Sequence, residues 1–359
     1  MGLLGETKPV KKPILGVSLY PEQESMEEIE NYLTMASRYG FTKIFTSMFS
    51  VSGTKEEVFD YFKNFCDLAH KHGMKVSGDC NTAFFKKMGA SESDISIFKE
   101  MGIDIIRMDL PYFDQRDVTL INNPYNITIE LSSCMIQAVR MALENGANPK
   151  NFSTCHNFYP ERYTASDLES IRSINKELAT LGIPSAVFIS SNEDNTHGPW
   201  PVHDGLPTVE DHRWIPAELQ VRHWIAVGDV DEIIFGNAFA SEEEFKAIDQ
   251  VMNQAYVNIP KLVGQDYLAE LLPHGDAERV PFKVVLDDGV TDLEKEIVFD
   301  SVYHQCGETP YYMIRSRWTR MFYGKKNIPE RKIDEESRLS RKKLFGRFQH
   351  SPVDLFTLL

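Results

Sequence analysis

Eight short apolar runs lie at 14–19, 42–46, 74–78, 103–108, 125–130, 151–155, 184–190 and 231–236, and the chain between them carries apolar residues at helical spacing. That alternation of strand and helix calls for a parallel sheet. Eight such units close into a barrel more readily than they form an open sheet, and no G-x-G-x-x-G follows the first run to suggest a dinucleotide fold. The helix signals agree. Ser25 and Thr54 stand as N-caps before the stretches 24–39 and 55–72, and Gly40, Gly73, Gly102 and Gly182 stand as stops. The expected fold class is α/β, a (β/α)8 TIM barrel.

Beyond about residue 255 the pattern changes to strand-like runs such as VPFKVVL, EIVFDSVYH and YYMIRSR, broken by Gly, Pro and Asp-Gly. The break near Pro260 divides the chain into a barrel domain over 1–257 and a small, mostly β domain over 258–359. The formal net charge of -15 argues against nucleic acid and anionic membrane as partners. Between Arg315 and Arg347, however, twelve lysines and arginines face four acids, so an acidic body carries a basic segment. No apolar run approaches the roughly 20 residues of a membrane helix, and the N-terminal stretch, broken by Glu6, Lys8, Lys11 and Lys12, lacks a secretory signal. A cytoplasmic location is expected. The five scattered cysteines show no C-x-x-C spacing, which fits reduced thiols and no zinc site.

Catalytic groups of such barrels project from the C-terminal strand ends. There the sequence places Ser47 on the second strand, Asp79 on the third, Arg107 and Asp109 on the fourth, Glu130 on the fifth, and His156, Asn157 and Tyr159 on the sixth. No lysine stands at a strand end to form a Schiff base, and no serine elbow is present. Asp79 and Asp109 end neighbouring strands, and strands lie about 4.8 Å apart, so the two carboxyls are placed to split their pKa values. One protonated and one ionised carboxyl is the equipment of glycoside hydrolysis. Arg107 shares a strand face with Asp109, where it would keep that acid ionised or hold a substrate anion. His156 and Asn157 would bond sugar hydroxyls or an acetamide, with Tyr159 and Trp200 as stacking surfaces. His203 and Arg213 lie in the loop after the seventh strand, where many barrels hold phosphate.

The segments GVSLY (16–20), FTSMF (45–49), IIRMDL (105–110), HNFYPE (156–161) and GLPTVEDHR (205–213), with the Asp79 region, resemble the MupG-type 6-phospho-N-acetylmuramidases. The resemblance implies a barrel followed by a cyclophilin-like β domain. It also implies a cytoplasmic glycosidase that cleaves a 6-phosphorylated N-acetylmuramyl disaccharide in cell-wall recycling, with no cofactor and no metal. On it, Asp79 and Asp109 are the catalytic pair. Arg107, His156, Asn157 and Arg213 fall on the family's motifs and Arg315 on the pattern of its second domain; with Tyr159, Ser47 and Glu130, which stands where the family has an amide, they make up the expected substrate-binding set. A homo-oligomer is compatible with this reading. Two other classes are weighed against it: a phosphosugar epimerase or isomerase using a metal at Asp79, Asp109 and His156, and a phosphosugar-binding protein without catalysis.

Overall fold

The computed structural model describes residues 12–253 apart from 22, 49–50, 161–163, 200–201 and 203. In it the apolar runs form eight parallel strands: β1 (Ile14–Leu19), β2 (Phe41–Ser47), β3 (Lys75–Cys80), β4 (Ile105–Met108), β5 (Thr128–Ser132), β6 (Phe152–Cys155), β7 (Ser185–Ile189) and β8 (Glu232–Phe235). Each pairs with its sequence neighbour, and β8 returns to β1 with Glu232 opposite Ile14, so the barrel is closed. Around it lie α1 (Met26–Arg38), α2 (Lys55–Lys71), α3 (Thr82–Met88), α4 (Ser96–Met101), α5 (Gln115–Ile121), α6 (Ile136–Glu144), α7 (Leu168–Leu181), α8 (Ala217–Val227) and α9 (Glu242–Met252). The expected TIM barrel is observed. The expected β domain over 258–359, with Arg315 and Cys306, lies outside the described residues.

Alternation along the strands sorts side chains into two cores. Outward residues such as Ile44, Val76, Ile106, Ile129, Val187 and Ile233 pack against Phe62, Phe65, Phe98, Trp224 and Phe245 of the helices. Inward residues Tyr20, Phe45, Cys155, Ala186, Phe188 and Ile234 fill the barrel itself. Phe45 meets Phe188 edge to face at 5.2 Å. Deeper lies a charged layer, where Lys43 Nζ sits 2.9 Å from Glu130 Oε2 and 2.5 Å from Glu232 Oε2. The barrel is therefore plugged, and chemistry is left to its mouth.

β5 starts three residues later than the apolar run at 125–130 suggests. The Asn123 side chain donates to the carbonyls of Leu120 and Ile127 and accepts from the N–H groups of Tyr125 and Ile127. Asn126 then takes a left-handed φ of 56°. This asparagine-held turn spends 123–127 before pairing begins, so Ser132 ends the strand and Glu130 falls one inward position lower.

Lys43 is the only cation in the contacts of that buried layer, and removing one partner of a buried pair costs about 3–5 kcal/mol. Lys43→Met is expected to lower unfolding free energy by about that amount in urea titration. A loss under about 1 kcal/mol would contradict the structural role given to this layer.

Candidate active site

Three strand ends converge on one guanidinium. Arg107 of β4 donates from Nη1 to Asp79 Oδ1 of β3 at 2.7 Å and from Nη2 to Asn157 Oδ1, just past β6, at 2.6 Å. Ser132, at the end of β5, donates to the same Asn157 oxygen at 3.1 Å. The chain Asp79, Arg107, Asn157, Ser132 thus crosses four adjacent strands. Beneath it, the Arg107 guanidinium lies 5.9 Å from the centroid of the Phe45 ring, so the apolar plug supports the polar layer. Arg107 Nε is buried and has no hydrogen-bond partner.

Asp79 and Asp109 occupy different environments. Asp79 is almost fully buried, and burial pushes its carboxyl above the ordinary range; Arg107 restrains that rise, while the negative charges of Asp109 and Glu130 add to it. Asp109 is exposed just beyond β4 and holds the strand line through its N–H to the Cys80 carbonyl at 2.9 Å. The sequence reading placed Arg107 as the counter-ion of Asp109. The structure gives its direct ion pair to Asp79 instead. Ser47, buried at the end of β2, is the register partner of Asp79.

Several expected contacts are corrected. His156 and Asn157 have opposite parity because Cys155 points inward, so Asn157 enters the mouth and His156 turns outward against α7. There it bonds Asn175 Oδ1 at 2.7 Å, and burial depresses its pKa to about 4. A metal triad of Asp79, Asp109 and His156 is therefore not assembled, and among the described residues no group of three or more acids, histidines and cysteines could hold a metal ion. Glu130 is fully buried in the Lys43 layer, out of reach of a ligand at the mouth. Arg213 is also buried. It chelates Glu210 through Nε and Nη2 and donates from Nη1 to the carbonyls of Tyr159 and Asp204, which ties the loops after β6 and β7 together and spends its charge. Tyr159 is half-buried in that wall, accepting a hydrogen bond from Ser166 at its hydroxyl. Trp200, His203 and Arg315 lie outside the described residues.

The sequence reading missed Ser132 and Cys134. Cys134 is exposed, 2.9 Å from Ser132 Oγ, and accepts a long contact from Asn157 Nδ2 at 3.9 Å. The signal was the Asn122–Asn123–Pro124 break, which delays β5 and makes Ser132 its last residue. Tyr20 closes the seam instead of facing substrate: its hydroxyl donates to the Gly236 carbonyl. A Cβ at position 236 would collide with the Leu206 carbonyl, so only glycine lets that loop approach.

The N-terminal family model for 6-phospho-N-acetylmuramidase matches residues 15–250, and the C-terminal model of the same family matches 280–342. The chain belongs to the 6-phospho-N-acetylmuramidase family. It is thus a glycoside hydrolase of the class that acts on 6-phosphorylated N-acetylmuramic acid. Among solved structures, an uncharacterized B. cereus protein is 35% identical, with a TM-score of 0.61 over 69% of this chain and 67% of that one. A conserved Enterococcus faecalis protein of unknown function is 21% identical, with a TM-score of 0.59 over 69% and 68%, and shares the fold. No curated protein matches the chain. No described helix is long and apolar enough to cross a membrane.

Asn157 orients Arg107 while being only half-buried itself. Asn157→Ala should lower kcat/KM about 10²-fold, the scale of a misplaced catalytic group, with little change in the urea midpoint. Unchanged kcat/KM would remove Asn157 from the site.

Proposed function

We propose that the enzyme hydrolyses the glycosidic bond of a 6-phospho-N-acetylmuramyl disaccharide, with Asp79 as general acid and Asp109 as the ionised partner. The observation that carries this is the contrast between the two carboxyls, one buried and pushed toward its protonated form, the other exposed one position beyond the neighbouring strand. Asp79 gives its proton to the bridging oxygen as the bond from that oxygen to C1 breaks. The Asp109 carboxylate stabilises the positive charge developing at C1. Water then bonds to C1 and returns a proton to Asp79, restoring the starting state.

Arg107 fits the remaining demand. Its hydrogen bond to Asp79 fixes the acid in place, and its positive charge at the strand ends favours a substrate anion such as the lactyl carboxylate. In a chain of net charge -15, phosphate has to be met by a local cluster of cations. With Arg213 spent on Glu210, that part falls to Arg315, inside the stretch matched by the C-terminal family model. A cyclophilin-like β domain over 258–359, a cytoplasmic location and a place in cell-wall recycling complete the reading.

Leaving groups separate the two aspartates. Asp79→Asn is expected to lose about 10²–10⁴-fold on the disaccharide, the usual worth of a general acid, and far less on a 4-nitrophenyl glycoside whose leaving group departs without a proton. Asp109→Asn should lose on both. No sugar release by wild type, or equal losses by Asp79→Asn on the two substrates, would defeat the proposal.

A further inference from the structure

Among the described residues three large apolar side chains are conspicuously exposed, and two of them, Leu110 at 59% and Phe113 at 49%, lie on the loop that begins with Asp109. Their neighbours do not share this exposure. Pro111 is buried and Tyr112 is half-buried against the outer core, with the Arg116 guanidinium 4.4 Å over its ring.

The loop is held in this form at a cost. Phe113 adopts a left-handed φ of 57°, which a bulky side chain rarely takes. The buried Asp117 carboxylate fixes it, accepting from the N–H groups of Tyr112 at 2.9 Å and Phe113 at 2.8 Å. A backbone strained and pinned so as to present an aromatic ring to solvent is a feature expected at a ligand site. Leu110 follows Asp109 directly, so both exposed apolar side chains lie on the loop that leaves the C-terminal end of β4 at the mouth of the barrel. Three residues separate Asp109 from Phe113, so their backbones lie no more than about 13 Å apart, within the reach of a disaccharide and the side chains that flank it.

We propose that Leu110 and Phe113 form the platform for the leaving-group sugar, with the apolar C–H face of that ring resting on Phe113. This deepens the function proposed above and rests on it. The occupant is a pyranose because its C–H faces are apolar while its hydroxyls stay in water at the rim, which suits an isolated aromatic ring on an acidic surface. The platform makes the enzyme selective for a glycosyl over a small leaving group and adds no chemistry of its own.

The test compares two substrates on the full-length protein: the disaccharide of 6-phospho-N-acetylmuramic acid with N-acetylglucosamine, and 6-phospho-N-acetylmuramyl fluoride, whose leaving group is one atom. Their ratio of kcat/KM is independent of the fraction of active protein, so a partly folded variant does not obscure it. Phe113→Ala is expected to lower the disaccharide-to-fluoride ratio about tenfold, equivalent to about 1.4 kcal/mol, mainly through KM for the disaccharide. Phe113→Tyr should keep the wild-type ratio. An unchanged ratio in Phe113→Ala overturns the platform while leaving the hydrolytic reading intact, and so does an equal loss on both substrates, as expected if the chain's own residues cover Phe113. Wild type inactive on both substrates would overturn the hydrolytic reading as well.

Discussion

The site depends on the contact between the Arg107 guanidinium and the buried Asp79 carboxyl. A carboxyl this deeply buried gains solvation from almost nothing else, and a buried guanidinium needs partners in the plane of its fork. Register makes the pairing possible, since Arg107 and Asp79 are partners across β3 and β4, both facing inward. Asn157 takes the second arm of the fork, and Ser132 holds Asn157. Loss of Arg107 would leave the Asp79 carboxyl buried without its hydrogen-bond donor, and loss of the acid would leave one arm of the buried guanidinium without its acceptor. The rest of the mouth is arranged around keeping both.

The barrel below explains why that pair is stable where it is. Phe45 and Phe188 exclude water beneath Arg107, and the Lys43 layer closes the lower end with its own compensated charges. Around the mouth, loops are fastened by groups that the chemistry does not use. Arg213 ties the loops after β6 and β7, Asn237 binds both backbone groups of Ser191, and the Tyr20 hydroxyl seals β1 to β8. Buried polar residues here divide into one set that holds loops and another that faces the opening. Burial alone does not tell them apart.

Much of the barrel is legible in the sequence because its signals are local. Strand and helix periods alternate, and Ser25 and Thr54 are the N-caps expected of them, each completed as a capping box by Glu28 and Glu57. Asp79, Arg107 and Asn157 are readable because strand ends point to the mouth. The misreadings have specific physical causes. Glu130 was placed at a strand end because the Asn123 turn consumes residues that look like strand. His156 was grouped with Asn157 although adjacent strand residues face opposite ways. Arg213 was assigned to phosphate although Glu210 stands three residues before it, at the spacing where a local ion pair forms. The partner of Arg107 is a matter of cross-strand register, which periodicity within one strand does not fix.

Burial raises the pKa of Asp79 despite its arginine. Carbon-13 titration of the aspartate side-chain carboxyls, with Asp79 assigned by comparison with Asp79→Asn, measures this directly in the full-length protein. The expected midpoint for Asp79 lies clearly above the usual value of about 3.9. A midpoint at or below that value would mean that Arg107 overrides burial, and the role of general acid would have to pass to another group.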